Sequence, residues 1–280
     1  MAHPLRLQLA LPRALHVLSD YLTTTAGMCG LLLSRRHPLR AALSGVALAG
    51  GLLGLLSGEI SARTAIGCFL LSLLLRYAFL FASLSPAGSE RMKALHGLEG
   101  GFFIHETVTA TLLIAQRSSF LALLVATSLE RDGVLATAAS ALGALLLSIG
   151  IGVSLWATRV VGLDAYYYRD LFMGPRHTSV ELRGPYALWP NPMYGVGQLA
   201  AYGAALLVLS PIGLVAAALN QVALYILNDL VEQPQLRAAR NALSEVQLRY
   251  ALSRTGFERG SELGGKRRSQ PPPRIRQSRP

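Results

Sequence analysis

From Gly133 to Thr158 the chain carries no charged side chain, and this run constrains the fold more than any other feature. A helix needs about 20 mostly apolar residues to cross the hydrocarbon core of a bilayer. Stretches of that kind recur. Ala41–Leu56 with its flanks is the first, and Thr64–Leu84, interrupted only by Arg76, is the second. Phe102–Leu129 is a more polar third, containing His105, Glu106, Gln116 and Arg117. Gly133–Thr158 is the fourth, and Leu199–Ser210 and Ile212–Leu230 lie either side of Pro211. Only 15% of the residues are charged and 52% are hydrophobic, against about 25% charged in ordinary soluble domains. The sequence predicts an all-α polytopic membrane protein with about six transmembrane helices, the last two folded as a C-terminal hairpin.

The positive charges alternate with the spans. Arg35, Arg36 and Arg40 precede the first span, and Arg91 and Lys93 fall between the second and third. Arg159, Arg169, Arg176 and Arg183 follow the fourth. The other side receives Arg63, and Arg131 among Glu130 and Asp132. The positive-inside rule therefore puts both termini and the Arg159–Pro190 loop in the cytoplasm. The expected segments are an interfacial N-terminal stretch (1–40), a bundle of about four spans (41–158), a cytoplasmic-face loop with the hairpin (159–240), an amphipathic surface helix (241–257) and a basic disordered tail (258–280). That tail contributes to a net charge of +11. Beside a membrane its expected partner is the anionic headgroup layer rather than nucleic acid. Cys29 and Cys68 are far apart, with no CxxC or Cys/His cluster, so the cysteines make no case for a disulfide or a metal. His105 and Glu106 fall near a predicted membrane end, where they are expected to meet water.

The hairpin is entered through "RGPYALWPNPMYGVGQ", Arg183–Gln198, a segment crowded with prolines, glycines and aromatics. Residues before proline are driven to extended conformations. Pro192 can open a helix at its first turn, with Asn191 at the N-cap. Gly195 and Gly197 permit close approach of a ligand or another backbone. Irregular backbone is excluded from lipid, so this segment must sit at the interface or line a protein cavity. At the far end of the hairpin, "ILNDLVEQPQL" places Asn228, Asp229 and Glu232 together, with Asp229 and Glu232 expected on one helix face. A hairpin returns this cluster to the level of Asn191–Tyr194. Convergent polar groups of that kind are what a binding site requires.

These two motifs, "GPY…NPMYGVGQLAAYG" and "NDLVEQPQL", resemble those of the integral-membrane phospholipid methyltransferases, in particular the fungal-type phosphatidylethanolamine N-methyltransferases. They are more distantly similar to the isoprenylcysteine carboxyl methyltransferases. The resemblance covers about Leu182–Arg240 and makes the hairpin the expected catalytic element. It implies S-adenosylmethionine as cofactor, held near the cytoplasmic face by Gly184, Pro185, Tyr186, Asn191, Pro192, Tyr194, Gly195, Gly197 and Glu232. Pro190 and Asn191 stand where the broader family has Arg-His, and Val231-Glu232 stands where it has a Glu-Glu pair. An Arg-His-Pro does occur elsewhere, at Arg36-His37-Pro38, but Leu39 and Arg40 follow and no tyrosine takes the required position, so it reads as a basic membrane flank.

The implied reaction is methyl transfer to the amine of a membrane phospholipid, phosphatidylethanolamine or its methylated derivatives. Its catalytic candidates are Glu232, which is expected to hold the cofactor, Asp229 as a base, and Tyr194, whose ring faces a sulfonium favourably. Glu106 is a further base candidate. Arg169, Arg176 and Tyr167, in a loop rich in aromatics and arginine, are the expected contacts for the lipid headgroup. The alternatives are methylation of another membrane substrate such as a prenylcysteine carboxylate, or a non-catalytic scaffold or transporter. A transporter would bring polar residues together at mid-bilayer, whereas the polar clusters in this sequence fall at span ends.

Overall fold

A computed structural model describes residues 19–31, 38–56, 60–130, 132–174, 183–189, 191–238 and 241. The expected amphipathic helix and basic tail lie outside these residues, apart from residue 241. The chain divides into two compact units, Met1–Gln235 and Leu236–Pro280, and the architecture below is that of the first.

Every regular element described is a helix. A short helix α1 over residues 19–28 is followed by α2, Pro38–Leu56. The long helices α3, Ala62–Leu84, α4, Pro86–Ala126, and α5, Val134–Val161, come next. Two short helices, α6 (Leu163–Tyr166) and α7 (Arg169–Met173), precede the hairpin of α8 (Leu199–Leu207) and α9 (Pro211–Leu227). Among the described residues four helical stretches are long and apolar enough to cross a membrane: Ala62–Leu84, Pro86–Ala126, Val134–Val161 and Pro211–Ala238. Leu70, Leu71, Leu74 and Leu75 line an exposed face of α3, and Leu142 and Leu145 do so on α5. Such surfaces are a liability in water and ordinary against lipid. The protein is a multi-pass membrane protein.

Three expectations change. The span expected at Leu199–Ser210 is only the 9-residue α8, about 13 Å long at 1.5 Å per residue and so half a membrane. The third span begins earlier than expected, because α3 and α4 are joined through Ser85 alone, whose side chain caps α4 by accepting from the Gly88 amide at 3.1 Å. Arg91 and Lys93 thus belong to the first turns of α4, ahead of a kink at Gly97 (φ 74°), rather than to a loop. His105 and Glu106 do not meet water either: they are 0% and 1% exposed. His105 is held by the Ser83 hydroxyl at 3.0 Å and the Tyr167 carbonyl at 3.3 Å. Glu106 pairs with Arg40 at 2.5 Å, which makes Arg40 a buried partner rather than a surface flank.

Lipid tails are as apolar as leucine, so membrane helices associate through close packing of small residues and hydrogen bonds. The α5–α8 contact is of this kind. A Cβ on Gly203 would collide with the Leu147 amide nitrogen, and one on Gly150 would collide with that of Ala200. The two helices therefore meet backbone to backbone and run antiparallel. On the other side of the hairpin, Leu80 and Leu84 of α3, Phe102 of α4, Phe172 of α7, and Leu224, Leu227 and Val231 form one buried cluster, against which Tyr194 packs.

Candidate functional site

The site is built from a turn that never becomes a helix where the sequence predicts one. Gly184, at φ +59°, lets the chain pass against α5: a Cβ there would lie 2.9 Å from the Val160 side chain and 3.0 Å from the Trp156 ring nitrogen. Pro185 is fully buried and its carbonyl accepts from the Trp189 amide at 2.9 Å. The Asn191 carbonyl then accepts from the amides of Tyr194 at 3.2 Å and Gly195 at 3.0 Å, and the Pro192 carbonyl from that of Gly197 at 2.8 Å. Pro192 opens a turn, followed by a short 3-10 segment, and α-helix starts only at Leu199. Gly195, at φ −90° and ψ −96°, is where the chain departs from helical geometry.

The position of this turn follows from the α5–α8 packing. Ala200 lies against Gly150, about three turns before the end of α5. Residues 191–198 therefore run alongside the last turns of α5, between it and α9. Irregular backbone beside membrane helices needs partners from the protein. The Tyr194 carbonyl, for instance, accepts from the Gln221 amide group of α9 at 3.1 Å.

Opposite the turn, the last helix widens. Asn228–Glu232 is a π-helical segment, a deviation frequent at functional sites. It directs Asn228 and Val231 inward and leaves Asp229 exposed. Glu232 is partly buried and accepts a short hydrogen bond from the Tyr194 hydroxyl, which in turn lies 3.4 Å from the Tyr168 hydroxyl. Asn191 Nδ2 donates to the Asn228 side-chain Oδ1 at 3.4 Å, and Asn228 Nδ2 donates to Asp229 Oδ1 at 2.8 Å. Among the described residues no lysine, arginine or histidine lies within ion-pair distance of Glu232. Burial raises the Tyr194 hydroxyl pKa well above its ordinary value, and the neighbouring Tyr168 and Glu232 add to the shift. The hydroxyl thus stays protonated and acts as a donor. Burial, with the Glu232 charge second, pushes Tyr186 up to about 12. Tyr168 is raised for the same two reasons.

The sequence-predicted residues separate into groups. Tyr194, Asn191 and Glu232 come together, with Tyr186 within electrostatic reach. Pro185 and Pro192 are fully buried supports. Gly197 is a packing position, since a Cβ there would lie 2.5 Å from the Ser154 hydroxyl oxygen. At Gly195 an added Cβ would make only ordinary contacts, 3.5 Å to the Asn191 carbonyl oxygen and 3.7 Å to the Tyr225 hydroxyl, so this glycine is not required by packing. Asp229 does not share a face with Glu232 as expected, because the π-helical turn separates them. Tyr167 is fully buried and its hydroxyl donates to the Gly27 carbonyl at 2.6 Å. Arg169 is shared between Glu99 at 3.4 Å and Asp164 at 3.5 Å, while Arg176 lies outside the described residues. Beside the turn, Thr158 touches the Met193 sulfur at 3.7 Å and also lines an open hollow of about 310 Å³ with Asp20, Thr23, Thr24, Arg159, Gly162 and Leu163.

Sequence reasoning missed Tyr168, which looked like one aromatic of a run. It also missed a line of polar side chains inside the bundle, formed by Arg76, Gln116, Asn220 and Gln198. Gln116 and Asn220 lie within apolar runs, and a buried amide there was the available signal.

The sequence profile of the phospholipid methyltransferase family matches residues 138–239. A phosphatidylethanolamine N-methyltransferase of Yarrowia lipolytica is 28% identical over 109 residues, 39% of this chain and 12% of that protein. One from Schizosaccharomyces japonicus is 35% identical over 94 residues, 34% of this chain and 10% of that protein. The matched stretch is thus about a tenth of the length of these relatives. No solved structure matches the chain.

Proposed function

We infer, from the premise that residues 138–239 belong to the phospholipid methyltransferase family, that this protein is an S-adenosylmethionine-dependent enzyme of the membrane. Its proposed substrate is the amine of phosphatidylethanolamine or of its methylated derivatives. The observation that carries the reading is Glu232: a carboxyl group with a phenol for a partner and no cation, facing the turn that holds Asn191 and Tyr194.

That donor set fits the cofactor. A carboxylate without a cationic side chain suits the ammonium group or ribose hydroxyls of S-adenosylmethionine. The buried phenols of Tyr194 and Tyr168 orient Glu232 and offer ring faces to a cation. Asn191 and Asn228 add amide donors and acceptors, and Gly195 adds no side chain beside them. When bound, the cofactor supplies an electrophilic sulfonium methyl group. The chain's own contribution is to hold the reacting partners in line and exclude water, which accounts for a large share of such a rate enhancement.

An ammonium cannot act as nucleophile, so its proton must leave first. Glu106 is committed to Arg40 and buried away from water, so it is not the base in this reading. Asp229, exposed and steadied by Asn228, is the proposed acceptor. For the headgroup, Tyr167 and Arg169 are already engaged, and the hollow lined by Thr158 presents Arg159, whose guanidinium lies over the Tyr21 ring, to a phosphate and the Asp20 carboxylate to an ammonium. We place the active site and both termini on the cytoplasmic side, in keeping with the arginine distribution, and the basic tail against anionic headgroups.

The test is lipid analysis of cells that express the protein and are fed methyl-labelled methionine. Labelled mono-, di- or trimethylated phosphatidylethanolamine is expected, and Glu232→Gln should reduce it roughly a hundredfold. Absence of labelled lipid from folded, membrane-inserted protein would sink the reading.

A further inference from the structure

Arg76 is 9% exposed in the middle of α3, and Gln116 is 4% exposed in α4. Both lie outside the family-matched residues 138–239. An arginine and an amide inside membrane spans are costly and call for partners. Arg76 donates a short hydrogen bond from Nη1 to Oε1 of Gln116. Gln116 Nε2 donates to Asn220 Oδ1 at 2.7 Å, and Asn220 Nδ2 donates to Gln198 Oε1 at 3.1 Å. Gln198 Nε2 then donates to the backbone carbonyl of Met193 at 3.3 Å. Met193 lies between the two turn residues, Asn191 and Tyr194, that bond to Asn228 and Glu232.

This chain has a direction. Each amide has one accepting end and one donating end, and which way it points is decided by its network. A guanidinium has donors only. Arg76 therefore forces the Gln116 oxygen toward itself, which turns the Gln116 nitrogen toward Asn220. The same logic passes through Asn220 and Gln198 until a donor faces Met193. The Tyr77 hydroxyl reinforces the setting of Asn220 by donating to its Oδ1 at 3.1 Å. A mid-bundle polar line of this kind, absent from the sequence expectations, leads from the N-terminal helices to the turn.

We propose that Arg76, Gln116, Asn220 and Gln198 form a directional hydrogen-bond relay by which α3 and α4 position the Asn191–Tyr194 turn. These are positioning residues for the cofactor-binding turn, a role that rests on the methyltransferase reading. The relay gives the N-terminal bundle a task in the active site.

Gln116→Glu tests the direction with almost no change of shape. A glutamate beside Arg76 stays charged and accepts at both oxygens. Asn220 must then turn its nitrogen toward residue 116, Gln198 must turn its nitrogen toward Asn220, and two acceptors meet at Met193. The readout is hydrogen–deuterium exchange of the full chain in nanodiscs. The backbone amides of Tyr194, Gly195, Gly197 and Gln198 are each bonded within the turn and report on it. In Gln116→Glu, exchange over residues 191–198 is expected to rise about tenfold, the worth of one hydrogen bond, while α4 stays protected. Arg76→Lys, which keeps a donor-only cation, is expected to retain wild-type exchange there. Unchanged exchange over 191–198 in Gln116→Glu would overturn the relay. So would general loosening of α3 and α4 in both variants, since that is the mark of mere packing. In a transfer assay Gln116→Glu should also raise the cofactor KM about tenfold with kcat nearly kept. A wild-type protein with no methyl transfer, but with the expected exchange pattern, would remove the enzymatic reading and leave the relay standing.

Discussion

Among the described residues two glutamates, Glu106 and Glu232, turn into the interior, and they are treated in opposite ways. Glu106 meets a cation from its own chain, Arg40, whose guanidinium also reaches the Thr107 hydroxyl at 2.8 Å and lies over the Phe103 ring. Among the described residues, Glu232 has the Tyr194 hydroxyl as its hydrogen-bond partner and no ion-pair partner. A buried charge is tolerated when paired and hydrogen-bonded. The first pair is complete and holds α2 to α4. The second has a phenol where the first has a guanidinium, and in the proposed reading its positive partner is the ligand.

The largest expected effect is on the complete pair. Arg40→Met should cost about 3–5 kcal/mol by stranding Glu106, and Arg40→Met combined with Glu106→Leu should recover most of it. The measurement is Tm and monodispersity in detergent. A single variant as stable as wild type would erase the contrast between the two glutamates. Next comes the incomplete pair. Glu232→Gln keeps a side chain that the Tyr194 hydroxyl can still reach, so Tm should hold. Methyl transfer should fall roughly a hundredfold, the scale of losing a buried charge contact to a ligand. Equal transfer by wild type and variant would remove Glu232 from the site.

Two glycines sharpen the same division between scaffold and site. A Cβ on Gly203 meets the backbone of α5, so Gly203→Ala should cost about 1–3 kcal/mol of stability through overpacking. Gly195→Ala has room and should leave Tm within about 0.5 kcal/mol, with its effect confined to cofactor binding as measured by calorimetry. Tyr194→Phe removes one hydroxyl and should weaken cofactor binding by about 1 kcal/mol. The raised Tyr194 pKa fixes the sign of its pH dependence. The hydroxyl is protonated below the ordinary phenol value of about 10 and beyond it, so the ratio of wild-type to Tyr194→Phe activity should stay flat from about pH 7 to 9. A ratio that falls across that interval would mean that the phenol ionises and that its burial is incomplete.

The helical class of the fold and the pairing of the Asn191–Tyr194 turn with Glu232 were both legible in the chain. Apolar run length identifies membrane helices because lipid offers the backbone no partners. Pro211 and the polar residues at each end of the hairpin folded it back in the right sense. What was not legible had one physical source, the placement of backbone relative to backbone. Leu199–Ser210 reads as a span, but its helix stops at Leu207, Leu209 turns to positive φ and Ser210 already caps α9, while Gly203 sets the helix backbone to backbone against α5. Asp229 and Glu232 read as neighbours on an α-helical face, and a π-helical segment separates them. His105 and Glu106 read as water-facing, and Arg40, from a different helix, buries one of them.

By itself, then, the sequence determined that the chain enters a membrane, which residues are polar enough to form a site, and that two of its motifs are brought to one end of a hairpin. These are properties of single segments, set by run length, proline and charge. Only the tertiary structure decided which carboxyl is satisfied, where along α5 the turn lies, and that Arg76 of α3 is connected to Met193 through three amides. The orientation of an amide and the partner of a buried charge depend on groups far away in the chain, and no local pattern in the sequence records them.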